Sequence, residues 1–393
     1  MSLIYEMMPT GWKEAAKETG ALVRSRNIST PEELLRLNFL YQTSGDSYGL
    51  VSALTQISEN QTGLNKTAVQ KRITNSGKWL KWILVHLNQE EKYLEEVPQW
   101  LKDYRVCLTD ASDYCKQGSK NADFRFHYMV ELFTLNMAEF HFTEASEGEK
   151  ISRYETLRSK DIIIGDRAYG TITGMQYVSD KKADFLFRLR AKAFNLYTEE
   201  KKIFDLTEFL QKNYEIGKII DLKLFYKSGK EYYPVRICAV GKNEADIEKT
   251  HRHTKKSNTK KQRGKISDLQ KIYSQYVITA TSLPQDISAK QILELYRMRW
   301  QIELVFKRLK SIFGGEFCAR KKEAVEAWFY GKLLLATICE LLVKEAVFPP
   351  ESKKSIIAQC RFSIWKELKI MLYLVGAVTK WLKSQNYAQR KIY

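Results

Sequence analysis

The sequence predicts an α/β protein with flanking helical segments. Three observations carry that expectation. Between residues 104 and 190, short runs of β-branched and aromatic residues alternate with helix-period stretches. The segments on either side return to the helical period. A hydrophobic content of 44% over 393 residues is enough for a large buried core and for two or three domains. Lys and Arg outnumber Asp and Glu by 64 to 46, a net charge of +18, which points to a polyanionic partner. The 12% aromatic content is too high for a charged linker. The six cysteines are scattered, with no C-x-x-C and no His at zinc-ligand spacing, so neither a disulfide framework nor a zinc finger is expected. The first residues lack a basic flank followed by an apolar run, so no signal peptide is expected. The most apolar stretch, 333–343, is too short to span a bilayer and contains Glu340, which suits a buried helix. No membrane partner and a cytoplasmic location follow as expectations.

Residues 1–98 alternate helical patterns with polar breaks. In 29–41, Pro31 opens a helix, and Glu33 can close a capping box with Ser29 or Thr30. Residues 65–87 read as two helices around a turn at Asn75, Ser76 and Gly77, an arrangement that suits a DNA-binding helical domain. The GDSYG at 45–49 matches G-x-S-x-G, but a serine nucleophile there needs a preceding strand, and a helix precedes it.

From Tyr104 the period becomes two, giving strands at 104–110, 123–133 and 137–145. A helical stretch at 148–159, an apolar strand at 161–166, a further helix and a strand at 184–190 follow. Three meandering strands, helix, strand, helix, strand is the order of a ribonuclease H-like core, here assigned to 99–190 and completed by a late helix within 286–318. Residues 191–285 exceed what that fold requires and read as a β-rich insertion, with a Ser228-Gly229 turn between two strands. Within it, 249–265 is basic, free of acids and nearly free of apolar residues, so a mobile solvated loop able to grip phosphates is expected. Residues 319–393 read as helical, including amphipathic pieces at 362–375 and 381–385.

Phosphodiester chemistry needs an activated oxygen nucleophile and a stabilised leaving oxygen, which two Mg²⁺ ions roughly 4 Å apart can supply when held by carboxylates on rigid elements. Asp110 ends the first predicted strand, with Asp113 a rival three residues on, and Asp166 ends the fourth. Gly165 and Gly170 flank the DRAY tetrad and permit a tight exit from that strand. A turn role for Asp110 and a simple pair between Asp166 and Arg167 are the alternatives. Residues 292–310 hold no Gly or Pro and read as one helix. Leu295, Met298, Ile302, Val305, Phe306 and Leu309 fall on one face, while Tyr296, Arg299, Glu303 and Lys310 share an adjacent arc. An ordinary solvated face with an Arg299 to Glu303 pair would look the same. His127 and His141 lie within predicted strands and are expected to pack.

The spacing Y-x-x-R-x-x-x-E-x-x-x-x-x-x-K from Tyr296 to Lys310 resembles the YREK signature of one group of DDE transposases from bacterial insertion sequences. The strand endings at Asp110-Ala111-Ser112 and Asp166-Arg167-Ala168-Tyr169-Gly170 also resemble that family's motifs, with Ala168 where Gly is commoner. The likeness runs over roughly 60–315. It implies that Asp110, Asp166 and Glu303 are the catalytic metal ligands, meeting around two Mg²⁺ ions, for which Mn²⁺ would substitute. It further implies that Arg299 and Lys310 grip DNA phosphates, with Tyr296 bonding backbone or stacking near a strand end. Lys307 would add to that grip, one of Arg188 and Arg190 would touch DNA, and Trp300 would pack. The implied activity is cut-and-paste transposition: binding of terminal inverted repeats, end cleavage and transfer of 3′ ends to target DNA, by a homodimer on DNA. A DNA-binding derivative that has lost cutting and a metal-dependent nuclease without strand transfer are the alternatives.

Overall fold

The computed structural model describes residues 2–24, 27–44, 47–57, 63–87, 97–260, 265–313, 316–317 and 321–347. The amphipathic pieces expected at 362–375 and 381–385 lie outside them. The chain divides into two compact units. One comprises Met1–Glu91, Asp113–Phe124 and Val305–Tyr393, the other Lys92–Ser112 and Arg125–Leu304.

The first unit begins with helices α1 (Ser2–Glu6), α2 (Trp12–Glu18), α3 (Pro31–Thr43), α4 (Tyr48–Ile57), α5 (Lys66–Asn75) and α6 (Gly77–His86). The capping box forms as expected, with Thr30 accepting from the Glu33 N–H and the Glu33 carboxylate accepting from the Thr30 N–H. Ser47 sits at the start of α4 and accepts from the Leu50 N–H at 3.2 Å, a helix-capping role rather than a strained elbow. The turn between α5 and α6 falls at Ser76, whose hydroxyl is bonded by Asn38 of α3 at 3.1 Å. The Trp79 indole donates to the Trp12 carbonyl at 2.7 Å, and the two rings stack.

The second unit is built on a mixed sheet. Its strands are β1 (Arg105–Lys116), β2 (Phe124–Glu131), β3 (Met137–Glu144), β4 (Asp161–Gly165), β5 (Asp184–Arg188), β6 (Leu196–Tyr197), β7 (Ile203–Phe204), β8 (Ile219–Ser228), β9 (Glu231–Gly241) and β10 (Tyr276–Thr281), in the order β3-β2-β1-β4-β5-β10-β9-β8-β6-β7. Helix α7 (Ile172–Asp180) crosses between the parallel strands β4 and β5. The expected insertion supplies β6 to β10, α8 (Leu206–Lys212), α9 (Glu244–Lys260) and α10 (Asp268–Ser274), and its strands extend the core sheet outward from β5. Gly229 has φ +60 in the two-residue loop that closes β8 onto β9.

Strand β4 is the centre of the core. Ile162, Ile163 and Ile164 are fully buried, as expected of a parallel strand covered on both faces. Each contributes roughly 1.5–3 kcal/mol by burial. The register between β1 and β4 is fixed at their starts, where Arg105 pairs with Asp161. Its Nε and Nη2 reach the two carboxylate oxygens at 2.8 and 2.6 Å, and the Asp161 side chain is wholly buried.

Several expectations are corrected. Residues 148–159 form a single 3₁₀ turn at Ile151–Arg153 rather than a helix. The Glu139 carboxylate accepts from the N–H groups of Glu155 and Thr156 at 3.0 and 2.9 Å, which holds that backbone extended. The basic run is helical up to Lys260 rather than a loop, and only 261–264 lie outside the described residues. Its inner face is polar: His251 bonds Ser274 at 2.6 Å and Asn258 bonds Gln270 at 3.4 Å. Helix 292–310 is broken into α11 (Ala289–Arg297) and α12 (Trp300–Phe313). Bonds of the i to i−3 kind from Met298, Arg299, Gln301 and Ile302 tighten the joint into a 3₁₀ turn. Trp300, expected to pack, is 48% exposed at that joint.

Beyond α12 the chain adds a short strand, β11 (Glu316–Phe317), where helix was expected, and it pairs with Cys115 and Lys116 at the end of β1. Helix α13 (Lys322–Val347) then packs on α3, α5 and α6. Leu333, Leu334, Ala336 and Ile338 are buried, as expected for this apolar stretch. A Cβ on Gly77 would lie 3.3 Å from the Ala327 backbone, so glycine permits the close approach of α6 and α13.

Candidate active site

Asp110 does not end β1, which continues to Lys116, but it lies just past the part of β1 that pairs with β4. The Arg105 to Asp161 register carries forward residue by residue, so Asp110 and Asp166 come side by side where that pairing ends. Asp113 is an odd number of residues away, projects from the other face of the strand and is exposed. Gly165 and Gly170 do what the motif suggested. A Cβ on Gly165 would sit 2.9 Å from the Tyr169 ring, and one on Gly170 would sit 2.9 Å from the Arg188 carbonyl oxygen. Ala168 needs no positive φ, so alanine fits there. Its N–H donates to the Asp166 carboxylate at 2.7 Å, which closes the turn.

Glu303 stands in the first turn of α12 and is linked to Asp110 through Arg299. The Arg299 guanidinium is 2.5 Å from Glu303 and 3.5 Å from Asp110. The three carboxylates therefore share one neighbourhood but do not close into a ready cage. Among the described residues no three His, Cys, Asp or Glu side chains form a metal-sized group. Asp110 is nonetheless only partly compensated by Arg299 and the Ala111 N–H. Burial, together with the charges of Asp166 and Glu303, pushes its carboxyl up to about 6, against the opposing pull of the Ala111 N–H and Arg299. A partly buried set of hard oxygen donors that is short of positive charge fits a divalent cation.

Tyr296 is 6% exposed, so it belongs to the packed side of α11 rather than to an open surface. Burial pushes its phenol up, and Arg299 and Arg188 lie near enough to oppose that. Its hydroxyl has no partner in hydrogen-bond geometry. By the β4 to β5 register, Arg188 stands beside Asp166. Arg190 donates from Nε to the Arg167 carbonyl at 2.9 Å and so fastens the DRAY turn to the end of β5. Lys307 and Lys310 belong to the first unit, both exposed, with the Lys310 ammonium 5.7 Å over the Tyr114 ring. His127 and His141 pack as expected, bonded to Thr143 and Glu139 respectively.

Sequence reasoning missed the hydroxyls of Thr109, Tyr154 and Tyr169, which are buried close to one another and to Asp110. The tyrosine of DRAYG was the one available signal.

The family model described as "Transposase DDE domain" matches residues 105–338, from the start of β1 into α13. This chain belongs to the DDE transposase family. The putative transposase InsL of insertion sequence element IS186A from Escherichia coli (strain K12) is 29% identical over 353 residues, covering 87% of this chain and 93% of that protein. The transposase of IS421 from Escherichia coli is 29% identical over 354 residues with the same coverage. The transposase of IS231F from Bacillus thuringiensis subsp. israelensis is 26% identical over 202 residues, 47% of this chain and 42% of that one. The chain is thus a transposase enzyme with the ribonuclease H-like α/β core its strand order predicted. DNA is the partner the family implies, and divalent metal ions are its general cofactor. No helix among the described residues is long and apolar enough to cross a membrane.

Proposed function

We propose that this transposase binds the terminal inverted repeats of an insertion sequence, cleaves the ends by metal-dependent hydrolysis and transfers the 3′ ends to target DNA. Asp110, Asp166 and Glu303 would hold two Mg²⁺ ions, with Mn²⁺ an acceptable substitute. When bound, those ions supply Lewis-acid activation of the attacking oxygen and neutralise charge on the departing one.

The observation that carries the reading is the register that sets Asp110 beside Asp166, with Glu303 joined to Asp110 by a single guanidinium. Arg299 is tied to carboxylates in the free protein. On loading, it would turn from them to a DNA phosphate, where its planar fork suits two phosphate oxygens. Tyr296 would pack beneath that guanidinium and hold α11 in place. Lys307 and Lys310 would take further phosphates along α12. Residues 1–98 would serve as the end-binding domain, with Lys66, Lys71, Lys78 and Lys81 exposed around the α5–α6 turn. The protein would work in the cytoplasm as a homodimer that brings two ends together.

The test is incubation of the protein with labelled element ends, target DNA and Mg²⁺. Cleavage followed by joining supports transposition. Cleavage alone points to a nuclease, and binding without cleavage to an inactive derivative. Glu303→Gln should abolish cutting while leaving binding largely intact, and equal loss of both would make Glu303 a structural residue.

A further inference from the structure

We propose that Lys242, with Arg167 and Arg188, forms a phosphate-binding subsite that takes a phosphodiester of the DNA strand beside the one being cut. The inference rests on the reading above that cutting takes place at Asp110 and Asp166.

The sheet places these residues at one end. Arg167 follows Asp166 in the turn after β4, and Arg188 is the last residue of β5, in register beside Asp166. Lys242 directly follows β9, whose last residue pairs with the first of β10. Because β10 runs antiparallel to β5, that point lies at the carboxyl end of β5. Three cations from three elements therefore meet beyond the second aspartate.

Lys242 is also held in place. Its N–H donates to the Gln275 carbonyl at 2.8 Å, its carbonyl accepts from the Tyr214 hydroxyl at 2.9 Å, and its ammonium donates to Thr250 Oγ1 at 3.1 Å. An unconstrained surface lysine needs none of these. Among the described residues, no carboxylate comes within ion-pair distance of Arg167, Arg188 or Lys242.

The electrostatics agree with the geometry. Burial, then Arg188 and Arg167, hold the Lys242 ammonium down at about 8, and the nearby Asp246 does not offset them. Three cations held close together with no ion pair to any of them among the described residues repel one another, and a phosphate would relieve that repulsion. From Lys242 the chain enters α9, which turns Lys249, Arg252, His253 and Lys256 outward around a cavity of about 270 Å³. An extended polyanion could follow that surface; a small isolated anion would have no use for it.

The test measures binding of a duplex bearing the element's end as a function of salt, for the wild type, Lys242→Met and Lys242→Arg. The expected result for Lys242→Met is several-fold weaker binding and a log–log salt slope smaller by about one, with both restored by Lys242→Arg. An unchanged slope overturns the subsite. Should Lys242→Met not fold, lysine acylation of the wild type at pH 8, read by mass spectrometry, decides. Lys242 should label faster than exposed lysines in the free protein and be protected by the duplex, and equal labelling with and without DNA overturns the proposal. Cutting by the wild type is scored alongside. If it cuts and the slope is unchanged, the subsite alone falls; if it neither binds nor cuts, the functional reading falls with it.

Discussion

Arg299→Gln is the most informative single change, because it separates the role of Arg299 in the free protein from its role on DNA. Arg299 and Asp110 are both under one-fifth exposed at their side chains, whereas Glu303 is half-exposed. The Glu303 arm is therefore worth ~0–1 kcal/mol after solvent screening. The Asp110 arm, a longer contact to a partly buried charge, is worth about 1–2 kcal/mol. Together they predict a loss of roughly 1–3 kcal/mol in metal-free protein, which at about 2–4 °C per kcal/mol for a unit of this size lowers Tm by about 2–12 °C. A divalent ion should then stabilise the variant more than the wild type. In the wild type the Arg299 guanidinium already neutralises the carboxylates that would hold an ion, whereas in the variant they would be left without it. Stabilisation follows RT ln(1 + [L]/Kd), about 2.7 kcal/mol at a hundredfold excess over Kd.

Thermal melts of both proteins with and without Mn²⁺ or Mg²⁺ give the answer without any measurement of activity. A variant as stable as the wild type in EDTA would refute the claim that Arg299 neutralises the carboxylates. A smaller metal-induced shift in the variant would refute the claim that ion and guanidinium compete.

Other residues carry separate predictions. Arg105→Met removes the bidentate partner of the wholly buried Asp161 carboxylate, leaving it the Arg158 N–H at 2.9 Å and the Arg158 guanidinium at 3.8 Å, and should cost about 3 kcal/mol in denaturant unfolding. A loss below about 1 kcal/mol would show that other contacts set the β1 to β4 register. Glu139 is governed by burial, which raises its carboxyl, and by bonds from His141, Thr156 and Glu155, which outweigh it and hold the group at about 2. Its pKa is depressed on folding, so its contribution, about 3 kcal/mol, is present above pH 4.5 and lost as pH falls towards 2. Glu139→Gln should therefore lose most of that stability at pH 7 and show a shallower acid transition, and parallel pH profiles for the two proteins would refute the assignment.

The sequence carried most of the frame because its signals there were local. Thr30 and Glu33 cap a helix within one turn, Gly229 closes a hairpin within two residues, and Ile162 to Ile164 form a strand from their own composition. Failures fell where a distant partner overrides local preference. Residues 148–159 have helical composition, but Glu139, from another strand, takes their N–H groups. Helix α9 has little apolar period because it docks through Thr250, His251 and Asn258, so its composition reads as a solvated loop. The 3₁₀ joint at Met298 and Arg299 carries neither Gly nor Pro to announce it. Lys242 was invisible for the same reason: only the fold brings it to the end of β5.

These features share one consequence for the site. The bidentate Arg105 to Asp161 pair fixes where β1 stands against β4, and β4 in turn fixes β5, so a row of residues across the sheet follows from one buried contact. That row reads Asp110, Asp166, Arg188, passing from acid to base within three neighbouring strands. A one-residue slip between β1 and β4 would turn Asp110 to the opposite face and leave Asp166 without its neighbour. On the proposed function, the acidic end needs cations before a phosphodiester can approach, while the basic end attracts the same backbone directly. DNA laid along the row would therefore engage Arg188, Arg167 and Lys242 without metal, and its scissile group would approach Asp110 and Asp166 only with their charge neutralised and Arg299 freed for a phosphate. On the proposed function, binding would precede metal loading and cutting would follow it. Duplex affinity in EDTA should accordingly depend on Lys242 but not on Glu303, and the reverse dependence would contradict it.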